Sequence, residues 1–152
     1  MKQSTRLIET EVSNTLLAAG LHANNSGYIY LKDSVILVLK YPYMQHQLTK
    51  KLYPEVAKKH NVSAAIVERS MRHTINNASK NGGIYNINYM LNAQYFNEKP
   101  CNGCFIALIA EIVRKNLYEM IASLEEQQSP DKLLLAKEIE EIIGSFTNDD
   151  IA

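Results

Sequence analysis

Residues 52–77, LYPEVAKKHNVSAAIVERSMRHTINN, admit little besides two helices joined by a short turn. Pro54 suits a first helical turn, where its missing N–H would be unbonded anyway. Val56 and Ala57 give that helix a small apolar face, and Lys58, Lys59 and His60 place cations at its C-terminal end. Asn61 suits the left-handed residue that stops a helix, and Ser63 suits the cap of the next. Val67, Met71, Ile75 and Ala78 then recur at helical spacing. A second helix held against a first by a tight turn is the geometry of a helix-turn-helix DNA reader.

At about 100° per residue, Ala64, Val67, Met71, Thr74, Ile75 and Ala78 share one arc and face the core. Ala65, Arg69, Arg72, His73 and Asn76 lie opposite. That side is small at the helix start and basic further along, so the N-terminus can approach base edges while arginine forks meet guanine or phosphate. An ordinary amphipathic helix with solvated arginines has the same pattern.

The chain's 152 residues are enough for one domain with a real core. With 21% charged and 46% hydrophobic residues, the composition is globular rather than disordered. No apolar run approaches the roughly 20 residues of a membrane helix, and the N-terminus lacks a secretory apolar segment. Two cysteines without a disulfide framework fit a reducing cytoplasm. Glycine, proline and strand-like alternation are scarce. The expectation is an all-α, compact multi-helix cytoplasmic domain without a membrane partner.

Net charge is zero but uneven. Residues 49–80 carry seven Lys/Arg against two acids, whereas residues 111–152 carry four against ten. The basic block coincides with the helix-turn-helix, as an electrostatic footprint for nucleic acid would. The acidic end reads as a solvated helix surface, or as a face that repels DNA or meets a basic partner.

Along the chain, residues 5–19 form a first helix that Gly20 can stop. Residues 28–40 form a second. Its run 35–39 has strand propensity but no partner strand, so it reads as a buried helix ended by Pro42. Residues 44–51 read as a short helix leading into Pro54. After the turn at residues 80–83, residues 84–91 form another short helix, with Tyr85 and Tyr89 expected to pack rather than stack on bases. Asn102 can cap a helix running from about residue 103 to 126. Ser129 and Pro130 open a last amphipathic helix over residues 131–146, followed by a frayed end at 147–152.

Catalytic and metal chemistry find little support. Cys101-Asn102-Gly103-Cys104 is half a zinc site, and the four histidines are scattered. A redox pair of thioredoxin type has a helix start here but no sheet. No phosphate loop, nucleophile elbow or metalloprotease motif is present. No cofactor, metal site or catalytic residue is assigned, and an enzyme is not expected.

Several spaced motifs carry a family resemblance: Gly27-Tyr28-x-Tyr30-Leu31, Thr49-Lys50-x-Leu52-Tyr53-Pro54, Ala57-Lys58-Lys59, Val67-Glu68-Arg69-x-x-Arg72-His73-x-Ile75, and Lys99-Pro100-x-Asn102 with Phe105-Ile106-Ala107. Over roughly residues 5–115 the chain resembles the C-terminal DNA-binding effector domain of the stage-zero response regulator family that initiates sporulation in endospore-forming bacteria. The resemblance implies an all-α domain of about six helices on a short double-stranded DNA box, often as a tandem pair. It places a recognition helix, residues 63–79, in the major groove, with Glu68 and Arg69 reading bases beside Ala65 and Ile66. Lys58, Lys59, Ser63, Arg72 and His73 fall to the phosphates. Residues 78–91 correspond to the surface that meets the RNA polymerase sigma factor.

The pattern departs from the family in three places. Ile66 stands where the family usually carries an arginine two residues before the glutamate. It can meet a thymine methyl or pack on a neighbouring element. The receiver domain that precedes the family domain is expected to be absent. Residues 116–152 extend past the DNA-binding unit of residues 1–115, as two amphipathic helices that fold back or form a homodimer interface. The leading expectation is a sequence-specific transcriptional regulator. The alternative is a protein-interaction module on the same fold.

Overall fold

A computed structural model describes residues 2–92 and 99–144. Seven α-helices make up the described fold: α1 (Gln3–Ala18), α2 (Ser26–Lys40), α3 (Tyr53–His60), α4 (Ala64–Lys80), α5 (Gly83–Leu91), α6 (Asn102–Glu126) and α7 (Pro130–Gly144). No strand occurs among the described residues. None of their helices is long and apolar enough to cross a membrane. The all-α expectation is met.

The run 35–39 lies inside α2, whose Leu31, Val35, Val38 and Leu39 are fully buried. Helix α2 touches α1, α3, α4, α6 and α7. Packing against five neighbouring helices, rather than strand pairing, accounts for its apolar character, with Val35, Val38 and Leu39 buried and Ile36 and Leu37 half-buried. The long helix α6 is the second wall of the core, with Phe105, Ile106, Ile109, Val113 and Leu117 buried. It runs unbroken through residue 115, so the extension begins mid-helix. Leu135, Ala136, Ile139 and Ile143 then fold α7 back onto α6, α1 and α2. The side chain of Asn116 ties α6 to α1 by donating to Glu11 at 2.8 Å. The end of the last helix beyond residue 144 and the frayed end lie outside the described residues.

Two helix ends share one solution. After α1, Gly20 takes φ 92, and the N–H groups of Gly20 and Leu21 return to Leu17 and Leu16 carbonyls at 3.0 and 3.2 Å. After α3, Asn61 takes φ 54, and Val62 N–H returns to the Ala57 carbonyl at 3.0 Å. Both satisfy carbonyls that the helix leaves open, and the residue after each stop turns toward the core.

The segment before α3 departs from expectation. In place of one helix over residues 44–51 there is a 3-10 turn, Pro42–His46, and a widened π turn, Leu48–Leu52. Lys51 and Leu52 both donate to the Gln47 carbonyl, at 2.9 and 3.1 Å. The extra residue in that turn brings Leu52 and Tyr53 into the core, where both are buried.

Candidate nucleic-acid interface

Ser63 starts the recognition-helix candidate α4, its hydroxyl accepting Ile66 N–H at 3.2 Å. Val67, Met71, Thr74, Ile75 and Ala78 are buried. Ala65, Arg69, Arg72 and His73 are exposed, while Asn76 is half-buried rather than on the open side. Ile66 stays 40% exposed, so it is available to a ligand rather than consumed by a neighbouring element.

Helix α4 divides the expected contact residues between two flanks. On one flank Ile66, Arg69 and His73, with Ser70 and Thr74, face Asn25, Ser26 and Gly27 across an open groove of about 440 Å³. The start of α2 forms the far wall, and Asn25 makes no side-chain cap there. Unbonded N–H groups at a helix start favour anions. Gly27 sets the spacing: a Cβ there would meet Thr74 Oγ1 at 2.0 Å and the Ser70 carbonyl oxygen at 2.4 Å. Only a residue without a side chain lets the backbones of α2 and α4 come this close. Arg69 has no ion pair among the described residues.

The other flank is tied together. Arg72 Nη1 donates to Glu68 Oε1 at 2.7 Å, one helical turn away. Both line a recess with Leu48, Tyr53, Lys99, Cys101 and Asn102. Asn102 was expected to cap α6; instead Cys101 takes that place, its Sγ accepting Cys104 N–H at 3.3 Å. Asn102 is buried in the first turn and donates to Tyr53 Oη at 3.2 Å and to the Glu68 carbonyl at 3.1 Å. One amide thereby pins α6, α3 and α4 at a single point. Burial pushes the Tyr53 hydroxyl above its ordinary range, against the lowering effect of the Asn102 hydrogen bond. It is a neutral partner at physiological pH.

The lysines of α3 differ. Lys58 is exposed. Lys59 Nζ reaches back to Asp33 of α2 at 2.9 Å, and His60 Nε2 meets the other Asp33 oxygen. Sequence reasoning missed the wall at Asn25 and the pin at Asn102, although Gly27 and Asn102 both stood in the motifs. Tyr85 and Tyr89, expected to pack, are 79% and 83% exposed. On α5 Ile87 is buried, and Met90 and Leu91 pack partly buried against the core. Among the described residues no cluster of three or more His, Cys, Asp or Glu is placed to hold a metal.

The family model described as "Sporulation initiation factor Spo0A C terminal" matches residues 12–113.

Proposed function

Since the chain belongs to the Spo0A C-terminal family of DNA-binding sporulation regulators, we propose that it reads a short duplex sequence with α4 in the major groove. Arg69 and Glu68 contact base edges, with Ala65 and Ile66 closest to the groove floor. Lys58, Lys59, Ser63, Arg72 and His73 face phosphates. The observation that carries this reading is the exposed Arg69 and His73 on a capped helix beside the uncapped start of α2. Such a groove favours a phosphate while the adjacent helix face reads bases. Glu68 is preorganised by Arg72, and the exchange of that partner for a base or phosphate is inexpensive at an exposed pair.

Selection from a random duplex pool tests it. A single enriched motif is expected, with a log–log salt slope of about −0.9 per phosphate neutralised. Arg69→Ala removes the preference at one or two base pairs, worth about 1–3 kcal/mol, with thermal stability unchanged. No enrichment from a folded protein overturns the reading.

A second reading draws on Tyr85 and Tyr89, two exposed aromatics at i, i+4 on α5. Aromatic side chains of this kind anchor protein interfaces. An RNA polymerase sigma factor is the partner class that the resemblance suggests for this segment. Residues 1–115 then act as the DNA-reading unit, and the extension of residues 116–152, with Leu133 and Leu134 exposed on α7, offers a homodimer contact.

A further inference from the structure

The two cysteines of the chain, Cys101 and Cys104, are both exposed at the start of α6. The Cys104 thiol and its backbone N–H both donate toward Cys101 Sγ, holding the Cys101 thiol below its ordinary range. Donating that thiol hydrogen bond stabilises the protonated form of Cys104 and pushes its thiol up. A low thiol beside a higher one, at a helix start, is the arrangement of an attacking and a resolving sulfur. Cys101, the cap residue, holds its Sγ 3.3 Å from the backbone nitrogen of Cys104, so its sulfur already lies beside the residue with which it would form the disulfide. The recess beside Cys101 measures about 440 Å³ and carries Lys99 on its walls, together with Arg72 and its ion-pair partner Glu68. Lys99 gives it a cation for a carboxylate of a small disulfide. Between the two sulfurs in sequence lies Asn102, whose amide holds Tyr53 and the Glu68 carbonyl.

We propose that Cys101 and Cys104 form a reversible dithiol–disulfide pair, closed by exchange with a low-molecular-weight disulfide bearing carboxylates, and that closure acts on α4 through Asn102. The Cys101 thiolate attacks one sulfur of the external disulfide. That S–S bond breaks, and one thiolate leaves and takes a proton from water. Cys104 then gives its proton to water and attacks Cys101 Sγ, forming the internal disulfide and releasing the second thiolate, which is protonated in turn. Two protein thiols are oxidised and one external disulfide is reduced to two thiols. Closure removes the sulfur acceptor that caps Cys104 N–H and draws the two ends of the first turn of α6 together. Asn102, held between them, shifts from Tyr53 and from α4. No sheet is needed for this chemistry, because the helix start and the recess supply the polarity and the access. The consequence for DNA rests on the proposed function, but the switch itself does not.

The full chain is incubated in glutathione buffers of increasing oxidised fraction, alkylated, and weighed intact. Both thiols are expected to become blocked together, with loss of two hydrogens and no retained glutathione. Cys104→Ser stops at one glutathione adduct, and Cys101→Ser reacts about tenfold or more slowly. Hydrogen exchange around Tyr53 and Glu68 is expected to rise in the oxidised wild type and to stay level in the double Cys→Ser variant under the same treatment. Two thiols that stay free, a stable adduct on the wild type, or an internal disulfide that leaves exchange at α4 unchanged each overturn the proposal. No duplex enters these measurements, so a failure of the DNA reading is seen separately.

Discussion

The two flanks of α4 solve different problems with one helix. On the Gly27 flank, Ile66, Arg69 and His73 look across an open groove, and Arg69 has no ion pair among the described residues. On the Asn102 flank, Glu68 pairs with Arg72, and its carbonyl accepts from a buried amide of α6. One flank keeps its donors available, whereas the other fixes where the helix lies. A helix that must both contact a ligand and hold its orientation needs rigid support behind uncommitted donors. The difference between the flanks supplies both, and it orders the effects of substitution.

The largest effect belongs to Gly27. In Gly27→Ala the new methyl meets backbone as well as side chain, at 2.4 Å from the Ser70 carbonyl oxygen. The α2–α4 crossing must open, at a cost of about 2–3 kcal/mol, the upper part of the range of overpacking. Urea denaturation should show that loss, and duplex affinity should fall with it as the groove widens. A stability change under about 0.5 kcal/mol, the ordinary surface range, would mean that the close approach does not set the groove.

Much of this architecture could be read before the fold was known, where the deciding chemistry is local. Asn61 and Ser63 end α3 and start α4 through contacts within a few residues, so the turn was legible. Periodicity likewise separated the buried Val67, Met71 and Ile75 from the exposed Arg69 and Arg72. Residues 42–52 were read as containing one helix because the pull on Leu52 comes from the distant core, which local pattern does not contain. The i, i+4 spacing of Tyr85 and Tyr89 showed that they share a face, but only the inward turn of Ile87 decides which face that is. The partners of Asn102 lie 49 and 34 residues away. Spacing along a chain cannot reveal a contact of that reach.

Ile66 gives the next effect, on the open flank. Its side chain is 40% exposed at the start of α4, so Ile66→Arg adds a guanidinium without emptying the core. Stability should hold within about 0.5 kcal/mol. Duplex selection should enrich a guanine that the parent does not prefer, by about 1–3 kcal/mol. An unchanged motif would place position 66 outside base contact and would leave the reading to Glu68 and Arg69.

The tied flank responds in the opposite sense. Asn102→Ala removes the amide that serves Tyr53 Oη and the Glu68 carbonyl. A loss of about 1–2 kcal/mol in unfolding free energy is expected, the range for stranding buried hydrogen-bonding groups. Base preference should be retained while affinity drops, because Arg69 and Ile66 keep their side chains but α4 is held less firmly. Asn102→Asp is a sharper probe. It keeps the shape but places an acceptor against the Glu68 carbonyl, and should be no better than alanine. Full stability in either variant would show that the tie contributes little to the position of α4.

The smallest effect is assigned to the Glu68–Arg72 pair, despite its 2.7 Å contact. The arginine side chain is 53% exposed and the glutamate 36%, so water screens both charges and the pair competes with good solvation. A double-mutant cycle with Glu68→Gln and Arg72→Gln should give a coupling of about 0.2–0.5 kcal/mol in the free protein, as for other i, i+4 pairs. The cycle should weaken further as salt rises. Glutamine keeps length and helix propensity at both sites, so packing changes largely cancel. A coupling of several kcal/mol, the size found when a buried pair is broken, would make charge rather than the Asn102 amide the anchor of that flank. In that case releasing Glu68 to a base would cost much of the binding energy it could return. A small coupling leaves Glu68 and Arg72 free to exchange each other for base and phosphate, with the helix still held from behind by Asn102.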